Sequence, residues 1–254
     1  MALVVGAAAC TPAPGDGSAT SPERNLTVVA AASLARSFVA IGAAFEERHP
    51  GVRVRFSFDS TTSLAVQVEQ GIPADVFAAA DLDATRRLAD SGRTTGDART
   101  FARNRLTIVV KRGNPLGIAT LHDLGRAGTV ALCAPEAPCG RYAADALRRA
   151  GQSLPPERVS RNPNARATYT AVASGDADAG IVYATDVPAV DADDRSRPPG
   201  GEAIAIGDDH NVVVRYPAVV LSTAVDPATA RAFVDALLAA EAQATLRAEG
   251  FGSP

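Results

Sequence analysis

The chain has 254 residues, 46% hydrophobic and 21% charged, enough for one large domain or two lobes with cores of their own. Its 25 basic and 28 acidic residues are interspersed, for a net charge of −3, which argues against nucleic acid or a strongly basic protein as partner. Trp is absent, aromatics are 5%, and no stretch reaches the roughly 20 apolar residues of a membrane span.

Leu3 to Cys10 is apolar, ends in small residues and stops at a cysteine. Residues 1–10 are therefore expected to be the tail of a bacterial lipoprotein signal, with Cys10 as the lipidated residue. The basic region that opens such a signal is missing, and Ala7 stands where Leu or Val is usual, so the true start is expected upstream. Residues 11–25, dominated by Pro, Gly, Ser and Thr, are expected to form a flexible tether.

Thr27 to Ala32 reads as a short buried strand that stops at Ser33. Leu34, Phe38, Ile41 and Phe45 then mark one face of a helix reaching about Arg48, with Ser33 as its expected N-cap. His49-Pro50-Gly51 breaks the chain. Val52 to Phe58 alternates as a strand, and the hydroxyl cluster Ser60 to Ser63 precedes a helix carrying Leu64, Val68 and Ile72. Pro73 to Ala79 reads as a third strand and Leu82 to Ala89 as a third helix. This alternation predicts a mainly parallel sheet with helices on both faces.

Asn104 to Lys111 is a strong strand pattern. A Thr120-capped short helix, a strand at Thr129–Cys133, a loop at Pro135–Gly140 and a helix from Arg141 to Ala150 follow. Ser160 to Ala165 reads as a polar loop before a helix over 166–174, with Gly175 closing it. Ala179 to Tyr183 is a strand, and Asp191 to Gly201 an exposed acidic loop. Strands at 203–206 and 212–221 precede one long helix from Ala228 to about Arg247.

Four expected helix starts are candidates for one site: Ser33, Thr61 with Thr62, Cys139 with Gly140, and Ala165 with Arg166. Ligands of open α/β sheets sit beyond the carboxyl ends of the strands, where these starts and Tyr183 fall. The donors on offer are neutral hydroxyls and backbone N–H groups. That set suits a small, fully deprotonated oxyanion, which accepts hydrogen bonds and has none to give.

Residues 26–252 resemble the periplasmic molybdate-binding proteins of ABC transporters, through Ala30–Leu34, Phe58–Leu64, Pro135–Tyr142 and Ala179–Asp186. The resemblance implies an α/β, two-lobed periplasmic-binding-protein-like fold of type II. Lobe I would comprise residues 26–106 and 216–254, and lobe II residues 107–215. It implies capture of molybdate or tungstate between the lobes and delivery to a transporter permease, by a monomer outside the cytoplasm with no cofactor. Ser33 would then give its hydroxyl and N–H, Thr61 its hydroxyl, Cys139 and Ala165 their backbone N–H, and Tyr183 its hydroxyl. Thr62 is an additional candidate. Asp59 departs from the family pattern; a carboxylate there could accept the proton of hydrogen phosphate, which is the main alternative ligand, with sulfate the other tetrahedral oxyanion.

Cys133 and Cys139 could form a disulfide pinning the loop between them, or bind a metal. The other function classes are an exported enzyme and a ligand-sensing regulator. His49, His122 and His210 sit on no nucleophile or metal motif, Asp208-Asp209-His210 reads as an acidic turn, and no segment remains for a DNA-binding helix pair.

Overall fold

The computed structural model describes residues 24–187 and 200–254. Cys10, most of the expected tether, and Asp191, Asp193 and Asp194 lie outside them. Strands β1 (Arg24–Ala31), β2 (Val52–Asp59) and β3 (Val76–Ala78) alternate with helices α1 (Ala35–Arg48), α2 (Thr61–Glu69) and α3 (Leu82–Asp90). Strand β4 (Thr94–Val110) follows, then β5 (Val130–Cys133), α4 (Pro138–Arg149), β6 (Val159–Asn162), α5 (Ala165–Ala173) and β7 (Ala179–Tyr183). The chain ends with β8 (Glu202–Ala205), β9 (Val213–Leu221), α6 (Pro227–Ala236) and α7 (Ala240–Ala248).

The strand order is β2-β1-β3-β9-β4-β7-β5-β6, with β8 also on β4. β1 runs parallel to β2 and β3, and β5 parallel to β6 and β7. The antiparallel strands β4 and β9 join these two halves. Residues 94–105 of β4 pair with β9, whereas Leu106 to Val110 pair with β7. One continuous strand thus serves both halves.

The period of two along each strand divides the core. Val28, Val76, Ala218 and Val220 face one side with Phe38, Phe45, Phe101 and Phe233. Val29, Phe77, Val219 and Leu221 face the other with Leu64 and Leu88. In the second half, Ile108 and Ile181 face the first cluster and Val109 and Val182 a third one with Val172. Strands buried on both faces need continuous apolar runs, and those are the runs read from sequence.

Polar segments differ from expectation where backbone pairing suffices. β1 begins at Arg24, inside the expected tether: Arg24 N–H bonds the Gly51 carbonyl at 2.7 Å and its guanidinium meets Asp226 at 3.0 Å. The hydrophilic run 94–103 is the first half of β4, paired to β9 through two irregularities. Ser160 to Asn162, expected as loop, belong to the edge strand Val159–Asn162 on β5. The last helix is two, because the chain turns at Leu237–Ala239; Gln243 Nε2 donates to the Leu237 carbonyl at 2.7 Å and the Phe101 carbonyl at 2.8 Å, pairing the break internally. α4 starts earlier than expected, at Pro138, which suits a first helical position because its missing N–H would be unpaired there anyway.

Buried Asp75 ties the first half together. Its Oδ2 accepts from Thr27 N–H at 2.7 Å and its Oδ1 from Val225 N–H at 2.8 Å. Asp75→Ala leaves both donors without an acceptor and is expected to cost about 2–4 kcal/mol in urea unfolding; a loss below about 1 kcal/mol would contradict this role.

Candidate functional site

The carboxyl ends of β1, β2, β3, β5, β6 and β7 meet at one small cavity. Ser33, Asp59, Ser60, Thr61, Cys139, Asn164, Ala165 and Tyr183 are among its lining residues. Counted as the space a water's centre can occupy, it holds about 20 Å³. Adding water's own radius makes that a free sphere of roughly 3 Å radius, room for one central atom with oxygens around it.

Three α-helices point their first turns at this space. α2 starts at Thr61, α4 at Pro138 and α5 at Ala165, and the first N–H groups of a helix have no partner within it. Their dipoles add positive potential to the cavity, and among the described residues no cationic side chain lines it. Among the described residues, Asp59 is the single charged one lining it.

The Thr61 and Ser33 hydroxyls each have a defined partner behind them. Thr61 Oγ1 accepts from Ala80 N–H at 2.9 Å, which leaves its proton to donate elsewhere. Ser33 does not cap α1 as expected. It sits in a single 3-10 turn, Ala32–Leu34, without a side-chain cap bond, and its Oγ lies 3.0 Å from the Tyr216 hydroxyl. The reason is local: β1 runs directly into the turn, so α1 starts two residues later, at Ala35, with Leu34 as the residue before it.

Tyr183 is 2% exposed, and its hydroxyl has no hydrogen-bond partner although it lines the cavity. A buried hydroxyl left so costs about 1–3 kcal/mol. An acceptor placed in the cavity would remove that cost. Burial pushes the phenol well above its ordinary value, so it stays a neutral donor.

The Cys139 end of the cavity is held rigidly. Cys133 and Cys139 form a disulfide with Cα atoms 5.8 Å apart, joining the end of β5 to the first turn of α4. A Cβ at Gly140 would overlap the Ala134 carbonyl, so only glycine lets α4 begin this close to β5. Asn164 caps α5 by accepting from Ala167 N–H at 2.9 Å, and its Nδ2 donates to Asp59 Oδ1 at 3.3 Å. Asp59 Oδ1 also accepts from Ser60 N–H at 2.7 Å, so at least one carboxylate oxygen is engaged along the wall.

Other contacts bridge the two halves. Thr62 does not line the cavity; its Oγ1 donates to the Glu136 carbonyl at 2.7 Å. Arg141 pairs with Asp81, the N-cap of α3, whose carboxyl is pushed up by burial and drawn back by Ala84 N–H and the Arg141 charge. Arg36 donates to the Thr185 carbonyl at 2.6 Å.

The structure therefore brings Ser33, Thr61, Cys139, Ala165, Tyr183 and Asp59 together and leaves Thr62 outside. Sequence reasoning missed Tyr216, Asn104, Ser60, Ala80 and Asn164. The polar run before Ala165 hinted at Asn164. Nothing local marked Tyr216, which reaches Ser33 from a strand 183 residues away.

The comparisons agree with this architecture. The sequence pattern of the family described as bacterial extracellular solute-binding protein matches residues 26–252. The molybdate-binding protein ModA of Mycobacterium tuberculosis is 36% identical over 256 residues, covering 99% of this chain and 95% of that one. Its Escherichia coli counterpart is 30% identical over 246 residues, covering 92% and 91%. Among solved structures, the periplasmic molybdate-binding protein of Azotobacter vinelandii superposes with a TM-score of 0.78 at 22% identity, covering 90% of this chain and 99% of that one. The sulfate-binding protein SubI of Mycobacterium tuberculosis gives 0.78 at 23%, covering 90% and 86%.

One group beside the cavity makes stability depend on pH. The Asp186 carboxyl is pushed up from 3.8 to about 7 by burial, only partly offset by the Tyr183 N–H and by Arg36 and Arg166. A raised carboxyl favours the fold while protonated. Its contribution is fully present below about pH 4 and is lost as pH rises through about 7. Asp186→Asn should therefore flatten the fall in unfolding free energy across this window in urea titrations; an unchanged slope would assign the dependence elsewhere. The two-lobed fold, the convergent helix starts and the full-length matches agree, and the chain belongs to the bacterial extracellular solute-binding proteins.

Proposed function

We propose that this protein captures molybdate or tungstate between its lobes and delivers it to an ABC transporter permease. The unpartnered Tyr183 hydroxyl carries the reading: it faces a cavity onto which hydroxyls and helix starts converge as donors. At about 1.5–3 kcal/mol per charge-assisted bond, five donors give roughly 8–15 kcal/mol gross. After ordering costs, micromolar to nanomolar binding is within reach. The relatives named for molybdate support this ligand. Phosphate or sulfate is the second reading: Asp59 on the wall could accept the proton of hydrogen phosphate, and the fold is shared with a sulfate-binding protein.

The function is binding, not catalysis. No histidine lines the cavity, and Ser33 is hydrogen-bonded to a phenol, not to a base. Lobe I is assigned to residues 26–106 and 216–254 and lobe II to 107–215, with β4 crossing between them. A monomer is expected. Anchoring through a lipid on Cys10 rests on the residues Leu3–Cys10 alone.

Calorimetry of the full chain against molybdate, tungstate, sulfate and phosphate tests the ligand, with molybdate and tungstate expected to bind and sulfate and phosphate weakly or not at all. Small-angle scattering should contract on binding; an unchanged profile counts against interlobe closure. Tyr183→Phe should weaken molybdate roughly 10- to 150-fold while leaving the unliganded protein no less stable, since it removes an orphaned hydroxyl and keeps the ring.

The anchor has its own test. With an upstream signal restored, Cys10→Ala should move the protein to the soluble fraction, and a variant that stays with membranes would refute lipidation there.

A further inference from the structure

Behind Ser33 lies a chain of buried polar groups that the binding function has not yet used. Asn104 and Tyr216 are 3% and 0% exposed. The Asn104 amide is oriented without ambiguity: its Oδ1 accepts from Arg105 N–H at 2.8 Å, so its Nδ2 is the donor side. Nδ2 has two protons and two acceptors, Thr185 Oγ1 at 2.9 Å and the Tyr216 hydroxyl oxygen at 3.3 Å. The Tyr216 hydroxyl thus receives a hydrogen bond from Asn104. Its own proton has one acceptor within reach, Ser33 Oγ at 3.0 Å. The ring cannot turn to find another. Tyr183, Phe101 and Phe251 box it edge-on, with centroids 5.9, 6.4 and 5.3 Å away.

If Ser33 instead donated to Tyr216, the Tyr216 proton would be buried with no acceptor, at the cost of an unmade hydrogen bond. The direction Asn104 → Tyr216 → Ser33 satisfies every group. It leaves the Ser33 proton free to point into the cavity.

We infer that Asn104 and Tyr216 are positioning residues that fix Ser33 as a hydrogen-bond donor, and so set the selectivity of the cavity for oxyanions that carry no proton. The inference rests on the oxyanion reading above. Ala80 N–H does the same for Thr61. With both hydroxyls directed as donors, Ser33 and Thr61 present protons, not lone pairs, to a protonated oxyanion, and Asp59 Oδ1 is already engaged by Ser60 N–H and Asn164. A serine free to rotate would accept that proton and blur the distinction.

The test is calorimetry of the full chain with molybdate and sulfate, which carry no proton at pH 7.5, and with inorganic phosphate, which does, read by displacement of molybdate where direct heats are small. Tyr216→Phe keeps the ring and removes the relay. Molybdate is expected to weaken about tenfold, with phosphate weakening by a clearly smaller factor or gaining. Asn104→Asp should be worse for molybdate than Tyr216→Phe, because a carboxylate there accepts the Tyr216 proton and turns the Ser33 proton away from the cavity. A molybdate affinity within twofold of wild type in Tyr216→Phe, or equal weakening of all three anions, would overturn the relay and leave a packing role. Neutron diffraction of the deuterated wild-type protein with molybdate bound needs no variant. It should place the Tyr216 deuterium toward Ser33 and the Ser33 deuterium toward the anion, and the reverse placement overturns the inference. Wild-type protein that binds none of the three anions overturns the functional reading itself, a result distinct from wild-type binding with unaltered variants.

Discussion

The first N–H groups of a helix cannot be paired within it, and here the starts of three helices line one small cavity. An arrangement of that kind is unfavourable unless an acceptor completes it. The rest of the site can be understood as serving that requirement. The parallel strands on each side deliver their helices to the same end of the sheet, and β4 and β9 hold the two sides in register. Among the described residues no cationic side chain lines the point where the helix starts meet, so the helix dipoles there act without one.

Rigidity around the cavity comes from different sources on its two sides. On the β5–α4 side it is covalent and steric, through the Cys133–Cys139 bridge and the contact that only Gly140 permits. On the β1–β9 side it is a ring cluster around Tyr216 with hydrogen bonds threaded through it. Between them stand side chains that reach across: Thr62 to Glu136, Arg141 to Asp81 and Asn164 to Asp59. Each bridging contact is modest, and several are solvent-screened at the rim. The buried site instead concentrates its unmet hydrogen-bonding capacity in Tyr183.

Much of the fold was legible because both faces of the sheet are buried. Val28, Val76, Ile108, Val130 and Ile181 belong to runs whose apolar content cannot be satisfied on a surface. Where pairing uses the backbone alone, the signal vanished: Thr94–Arg103 and Val159–Asn162 are strands made largely of exposed or half-exposed polar residues. The break at Leu237–Ala239 was equally silent, since apolar helical periodicity continues on either side and only Gln243, folding back, shows where the carbonyls go.

The sequence by itself determined the alternation of strands and helices, and hence that Ser33, Thr61, Cys139, Ala165 and Tyr183 fall at strand ends where a ligand would sit. Local chemistry is enough for that, because hydropathy period and turn residues act over a few positions. Only the tertiary structure decided that Ser33 caps nothing and leans on Tyr216, that Thr62 leaves the cavity, and that Asp59 is engaged by Ser60 and Asn164. The physical reason is that the direction of a hydroxyl proton depends on every partner it can reach, and those partners come from strands far apart in the chain.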